Sequence, residues 1–166
     1  LLIGGNSSDV ATWNTFFDLP TNGNPFTSVS VINNEVNLYG GSNITLKDSL
    51  FDDIGGYGQS LIRFEDSGCI IHAGYSCFGN ADNLGCPNIV IISMPALITA
   101  GNECFENLFS ITSFDFPSLV TAGISCFASN HIYSNTTSLN FPNLITAGDY
   151  CFSANAINTI FQFPKL

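Results

Sequence analysis

Positive charge is nearly absent from this chain. Lys and Arg total three among 166 residues, against 13 Asp and Glu, for a formal net charge of −10. Phosphate backbones and anionic membrane surfaces are held by Lys and Arg, so nucleic acid and membrane surfaces are not expected as partners. Charge of either sign is scarce, at 10% of residues, under half the ordinary share. Solubility therefore rests on Asn, Ser, Thr and Gly. No apolar run reaches the roughly 18 residues of a membrane span, so membrane insertion is not expected. No initiator Met and no basic segment ahead of an apolar one is present, so no secretory leader is legible. The chain opens at Leu1 and stops at Leu166 inside a repeat, which reads as a piece of a longer chain or a homo-oligomer subunit. Signatures of chemistry are missing too. There is no Gly-rich phosphate loop, dinucleotide fingerprint, Ser elbow or His-Glu-x-x-His, so no cofactor is expected. There is no Cys-x-x-Cys pair and no EF-hand spacing, so no metal is expected.

What the chain has is apolar material and repetition. It is 45% hydrophobic, with 15 Phe, enough for a core and too much for disorder. Pro95, Pro117, Pro142 and Pro164 recur at intervals of 22, 25 and 22 residues. A Leu follows each two positions later: Leu97, Leu119, Leu144 and Leu166. After the first three come Thr99-Ala100-Gly101, Thr121-Ala122-Gly123 and Thr146-Ala147-Gly148, then Cys104-Phe105, Cys126-Phe127 and Cys151-Phe152. A degenerate copy at residues 68–78, GCIIHAGYSCF, keeps Ile70, Ala73-Gly74 and Cys77-Phe78 and puts His72 in the Thr place. A period of this length signals a stacked solenoid, whose coils bury their apolar faces only against each other.

Before each Pro the letters alternate: Ile92-Ser93-Met94, Phe114-Asp115-Phe116, Leu139-Asn140-Phe141, Phe161-Gln162-Phe163. Period two is a strand with one buried face, and Pro ends it where a missing N–H is least harmful. Stacked coils make these strands a parallel sheet, at roughly 4.8 Å per coil. The Gly after Ala marks either a positive φ or a place with no room for Cβ. The extra three residues of the 25-residue interval fall at 130–137, NHIYSNTT, and are expected to bulge as a loop.

These copies resemble the BspA-like leucine-rich repeat family over residues 61–166. Here LITAGDYCF stands where that family writes a similar phrase, with Cys in place of Ala. The resemblance implies a leucine-rich-repeat-like solenoid of about four to five coils over 59–166, the last one truncated. It also implies attachment on a cell, phage or protist surface, and no catalytic residues. Residues 1–58 do not repeat and read as a small α+β capping module, since a bare solenoid end exposes sheet edge and core. In it, SSDVATWNTFFDL spaces Val10, Trp13 and Phe17 like a helix face behind Ser7 or Ser8. TSVSVINNEVNLYGG reads as a hairpin about Asn33-Asn34. ITLKDSLFDDIGG places Leu46, Leu50 and Ile54 on a second helix face that stops at Gly55-Gly56. The phrase WNTFFDLPTNGNPFTSVSV is also similar to openings of phage fibre and appendage proteins, which implies a virion as one location.

Four groups of residues invite chemistry. Cys77, Cys104, Cys126 and Cys151 form one ladder, each before a core Phe (Phe78, Phe105, Phe127, Phe152). The preferred reading is a column of small buried thiols. Disulfides between coils are a second reading and a metal site a distant third. Cys69 and Cys86 lie outside the ladder and are expected to be the exposed thiols. His72 could pair with Cys77 as a catalytic dyad, but an outward or turn position is preferred. The pairs Asp52-Asp53 and Glu65-Asp66 read as solvated faces rather than as a glycosidase pair across a cleft. Three sequons, at Asn6, Asn43 and Asn135, matter only in a eukaryotic host.

The best candidate site is the outward strand row Ser93, Asp115, Asn140 and Gln162, with Tyr133 of the loop, beside His131, as a further contact. Function is expected to be attachment or structure on a virion appendage or cell surface, toward a protein or glycan ligand. The alternative is an architectural coat or fibre subunit that packs on other subunits. A hydrolase is the remaining reading.

Overall fold

The computed structural model describes residues 2–5, 26–32, 35–51, 61–79, 86–130, 138–155 and 160–166. Among them it is a parallel β-solenoid without helix, built from strands β1 (Leu2–Gly5), β2 (Phe26–Ile32), β3 (Glu35–Gly40), β4 (Ile44–Leu46), β5 (Leu61–Glu65), β6 (Ile70–Ala73), β7 (Ile91–Ser93), β8 (Thr99–Ala100), β9 (Ser113–Asp115), β10 (Thr121–Ala122), β11 (Ser138–Asn140), β12 (Thr146–Ala147) and β13 (Ile160–Gln162). Each pass of the chain contributes one short strand to each of two parallel ladders.

The first ladder runs β5-β7-β9 in register, Phe64 on Ile92 on Phe114. Next to β9 lies β11, which pairs in parallel with β13. The inward side chains Ile92, Phe114 and Leu139 are buried, as are Met94, Phe116 and Phe141 two positions on, so the alternating letters have the expected sides. Pro95, Pro117, Pro142 and Pro164 each occupy the second place of a tight turn. It is closed by the Leu amide donating to the carbonyl three residues back, for instance Leu97 to Met94 at 3.1 Å and Leu119 to Phe116 at 3.2 Å. Proline's fixed φ suits that place, and its missing N–H is not needed there.

The second ladder is β4-β6-β8-β10-β12. Ala73, Ala100 and Ala122 point inward from it and are buried. The glycine after each alanine is there for space, not for φ. A methyl on Gly101 would lie 2.7 Å from the carbonyl carbon of Gly74, and one on Gly123 2.6 Å from the amide nitrogen of Asn102. The positive φ values sit instead on the residue before each ladder cysteine: Ser76, Glu103, Ser125 and Tyr150, at 45° to 58°.

A third row of inter-coil bonds holds those turns. The amides of Phe78, Phe105 and Phe127 donate to the carbonyls of Cys104, Cys126 and Cys151 at 2.8–2.9 Å. This row stacks the phenylalanine rings. Centroids of Phe51, Phe78, Phe105, Phe127 and Phe152 follow one another at 4.6, 5.5, 5.3 and 5.5 Å, with planes within 22° of parallel. The aromatic column is the axis of the core, and offset stacking adds to simple burial.

Two expectations for the N-terminal segment change. Ile44–Leu46 and the turn after it do not form a helix face. β4 pairs in parallel with β6, Thr45 against His72, and Phe51 donates to the carbonyl of Cys77 at 2.8 Å. LKDSLF is thus a coil in the solenoid pattern, with Leu50 where later coils have Cys, and stacking reaches upstream of residue 59. The hairpin forms as expected, β2 on β3 with Ile32 opposite Glu35; Asn33 and Asn34 lie outside the described residues. It joins the first ladder through β1, which lies antiparallel between β3 and β5. The proposed helix at 7–17, Ile54 with its glycines, and Asp52-Asp53 lie outside the described residues.

Candidate functional site

The outward residues of the first ladder come together as the sequence suggested. Ser93 stands opposite Asp115, and Asn140 opposite Gln162. Asp115, Asn140 and Gln162 are exposed, and Ser93 is half-buried. The Ser93 hydroxyl donates to Asp115 Oδ2 at 2.8 Å, which fixes that carboxylate in the row. Glu65 continues the row opposite Ser93 and is ion-paired with Arg63. The result is a polar stripe along the solenoid axis, one side chain per coil, with carboxylates at Glu65 and Asp115 and amides beyond. Carboxylates and amides at fixed spacing offer hydrogen bonds to hydroxyls or to backbone amides. Tyr133 and His131 lie outside the described residues. Asn130, expected to open the bulged loop, is instead fully buried.

A second outward row went unassigned in the sequence, although its Thr recurs in three of the copies. On the second ladder Thr45, His72, Thr99, Thr121 and Thr146 stand in register, one per coil. His72 is hydrogen-bonded through Nδ1 to Thr99 Oγ1. It therefore takes the Thr place in space as well as in sequence. Cys77 lies in the core, away from this row, so the two do not form a dyad.

The ladder cysteines Cys77, Cys104, Cys126 and Cys151 are buried, and all six cysteines are free thiols. Cys104 is hydrogen-bonded to Cys77, and Cys126 to Cys151. Burial pushes the Cys104 and Cys126 thiols up, the neighbouring thiols adding to it. Cys151 is pulled down by its bond with Cys126, against a smaller effect of burial. Thiols held protonated in a core are poor nucleophiles and poor metal ligands. Among the described residues no group of three or more His, Cys, Asp or Glu could hold a metal ion.

Two expectations fail at single residues. Cys86 is not an exposed thiol. It is fully buried, with Sγ 3.8 Å from the Phe51 carbonyl, and only Cys69 is partly exposed. Asp66 is not a solvated face. It is buried, and its carboxylate accepts from the amides of Cys69 (2.9 Å) and Ile70 (2.8 Å), closing the corner between β5 and β6. Its partner in sequence, Glu65, belongs to the outward stripe, so the two carboxylates do not face each other across a cleft. The pocket beside Asp66, lined by Leu38, Tyr39, Ile44 and Cys69, has about 130 Å³, below the roughly 300 Å³ at which ligand pockets begin.

Sequence reasoning also missed an asparagine pair. Asn130 donates through Nδ2 to the Phe105 and Phe127 carbonyls at 2.9 and 3.0 Å and accepts from the Leu108 amide at 2.8 Å. Asn155 bonds the Phe127 and Phe152 carbonyls in the same way, at 2.9 and 2.7 Å. The signal was Asn three residues after the Phe in CFASN and CFSAN.

No family model matches the chain, and no curated protein or solved structure matches it.

Proposed function

We propose that the protein is a non-enzymatic attachment module, which holds a polar stripe rigidly toward a protein or glycan on another surface. The observation that carries this reading is the register of the outward row. Glu65, Ser93 and Asp115 repeat along one parallel ladder, and Asn140 and Gln162 repeat in the pair beside it. A rigid row of equivalent groups suits many weak contacts, and several copies in an assembly multiply them by avidity. The resemblance to BspA-like repeats supports a cell or virion surface as the setting. The chemistry-bearing side chains favour no turnover: every thiol but that of Cys69 sits in the core, and Asp66 closes a turn.

The test is retention of bacterial cells on beads that display the chain multivalently, against beads carrying an unrelated protein of equal charge. Retention well above that control is expected. No retention at any display density would replace this reading with an architectural one, in which the stripe packs against other subunits.

A further inference from the structure

The second ladder has its own outward surface, different in character from the polar stripe. Beside the threonine row runs an aliphatic row, one residue earlier in each coil. Ile98 and Ile145 are 40% and 58% exposed, and Ile71 and Val120 are partly so. Inter-coil bonds fix both rows together: the Ile98 amide donates to the Ile71 carbonyl at 2.8 Å, Val120 to Ile98 at 2.9 Å and Ile145 to Val120 at 2.9 Å. Two files therefore run along the axis, hydroxyls and His72 over five strands and methyl-bearing side chains beside them over the last four, the residue before Thr45 being the buried Ile44. At the usual strand separation the hydroxyl file is about 19 Å long and the aliphatic file about 14 Å.

This surface differs most from the rest of the chain in charge. The protein carries a net −10, yet the two files hold no acidic or basic residue, and His72 is their one ionisable group. A basic protein or a cation would be drawn to the acidic remainder, and an acidic polymer would be repelled from the whole. A neutral occupant with both apolar and hydroxyl faces is the one whose charge matches these files. A pyranose chain has that character: C–H faces that lie on aliphatic side chains and equatorial hydroxyls that bond a threonine hydroxyl.

We infer that the Thr/Ile surface of the second ladder binds a neutral, extended glycan chain laid along the solenoid axis, successive sugars passing successive coils. The site is separate from the polar stripe and does not depend on the function proposed for it.

The experiment measures binding of cellohexaose, chitohexaose and hexagalacturonate to the full chain by calorimetry or bead display. The variants are Thr99→Val/Thr121→Val, which keeps shape and removes two hydroxyls, and Ile98→Lys, which places a charge in the apolar file. An Asp115→Ala/Asn140→Ala/Gln162→Ala variant reads the other ladder, and Ile124→Ala, an exposed side chain that belongs to neither file, is the control. The unfolding midpoint of each variant is measured alongside, because these side chains are at the surface. The expected result is binding of at least one neutral oligosaccharide and none of the acidic one, with tenfold or greater loss in the Thr→Val and Ile98→Lys variants and full binding in Ile124→Ala. Loss confined to the polar-stripe variant would overturn the inference and leave the attachment reading standing. Binding to cells with none to either neutral oligosaccharide, or preference for the acidic one, would also overturn it.

Discussion

Replacing Gly101 by Ala isolates what holds neighbouring coils at their distance. The added methyl would lie 2.7 Å from the Gly74 carbonyl carbon, 2.8 Å from its oxygen and 2.8 Å from the Tyr75 nitrogen. All three are backbone atoms, so no side chain can swing aside. The first contact is about 0.8 Å short of the roughly 3.5 Å at which carbon atoms rest. Opening the coils by that amount strains the bonds that join them. Gly101 N to Ala73 O and Ser76 N to Asn102 O are both 2.9 Å, and an N–H···O bond weakens beyond roughly 3.2 Å. Overpacking of this kind costs about 1–3 kcal/mol, and two weakened bonds add about 1 kcal/mol each, so a loss of about 3–5 kcal/mol is expected. That is a large part of the roughly 5–15 kcal/mol that holds a typical domain. Gly41→Ala is the control, because a methyl there meets nothing within 4 Å. It should change stability by under about 0.5 kcal/mol. Urea unfolding followed by circular dichroism reads both. Equal midpoints for the two variants would refute the claim that glycine is present for inter-coil distance.

Other predictions follow from the same contacts. Asn130→Ala orphans the Phe105 carbonyl and the Leu108 amide and leaves the Phe127 carbonyl with Asn155 alone, and should cost about 2–4 kcal/mol in urea unfolding. Phe105→Ala removes a ring stacked on both neighbours and should cost about 3–5 kcal/mol, where a partly exposed column end such as Phe152 should cost less. Ser125→Gly relieves a positive φ of 52° and should raise stability by about 1 kcal/mol; a fall would mean the hydroxyl matters more than the backbone. Alkali should loosen the fold through the buried thiols. Cys104 and Cys126 lie above the ordinary 9.0 in the native chain, so above that pH the unfolded chain releases their protons while the native one keeps them. Stability from this source is intact below pH 9 and falls as pH rises beyond it, by up to about 1.4 kcal/mol per pH unit for each thiol. Urea midpoints at pH 7 and 10 check this, and Cys104→Ala/Cys126→Ala should flatten the difference.

What was legible in the sequence is what the solenoid repeats as side chains. The buried member of each alternation, the Pro turn, the Leu after it and the Cys-Phe pair all see the same surroundings in every coil, so selection for packing wrote the same letters. What the sequence hid is what the solenoid repeats as backbone. LKDSLF at 46–51 shares only Ser49 and Phe51 with YSCF, yet takes the same place because Ser49, like Ser76, adopts positive φ. Lys47 stands where later coils have Gly. Nothing in the letters of Ser, Glu or Tyr announces a left-handed residue. Asp66 looked solvated because a carboxylate usually is, but two amides at a chain corner can replace water. Cys86 looked exposed because it lies off the cysteine ladder, yet the core reaches it. The strand β1 is four residues with two glycines, too short and too glycine-rich to show an alternation. The polar stripe was legible because its residues sit in the strands with the clearest period. The Thr row was visible as letters, but only the pairing of β4 through β12 shows that it forms one surface.

The most direct measurement compares bacterial-cell retention by beads displaying the chain with retention by beads displaying the Asp115→Ala/Asn140→Ala/Gln162→Ala variant, at equal density and with matched unfolding midpoints. The account predicts that wild-type beads hold cells and that the triple variant loses most of that retention. Equal retention by the two would contradict the claim that the polar stripe is the attachment surface.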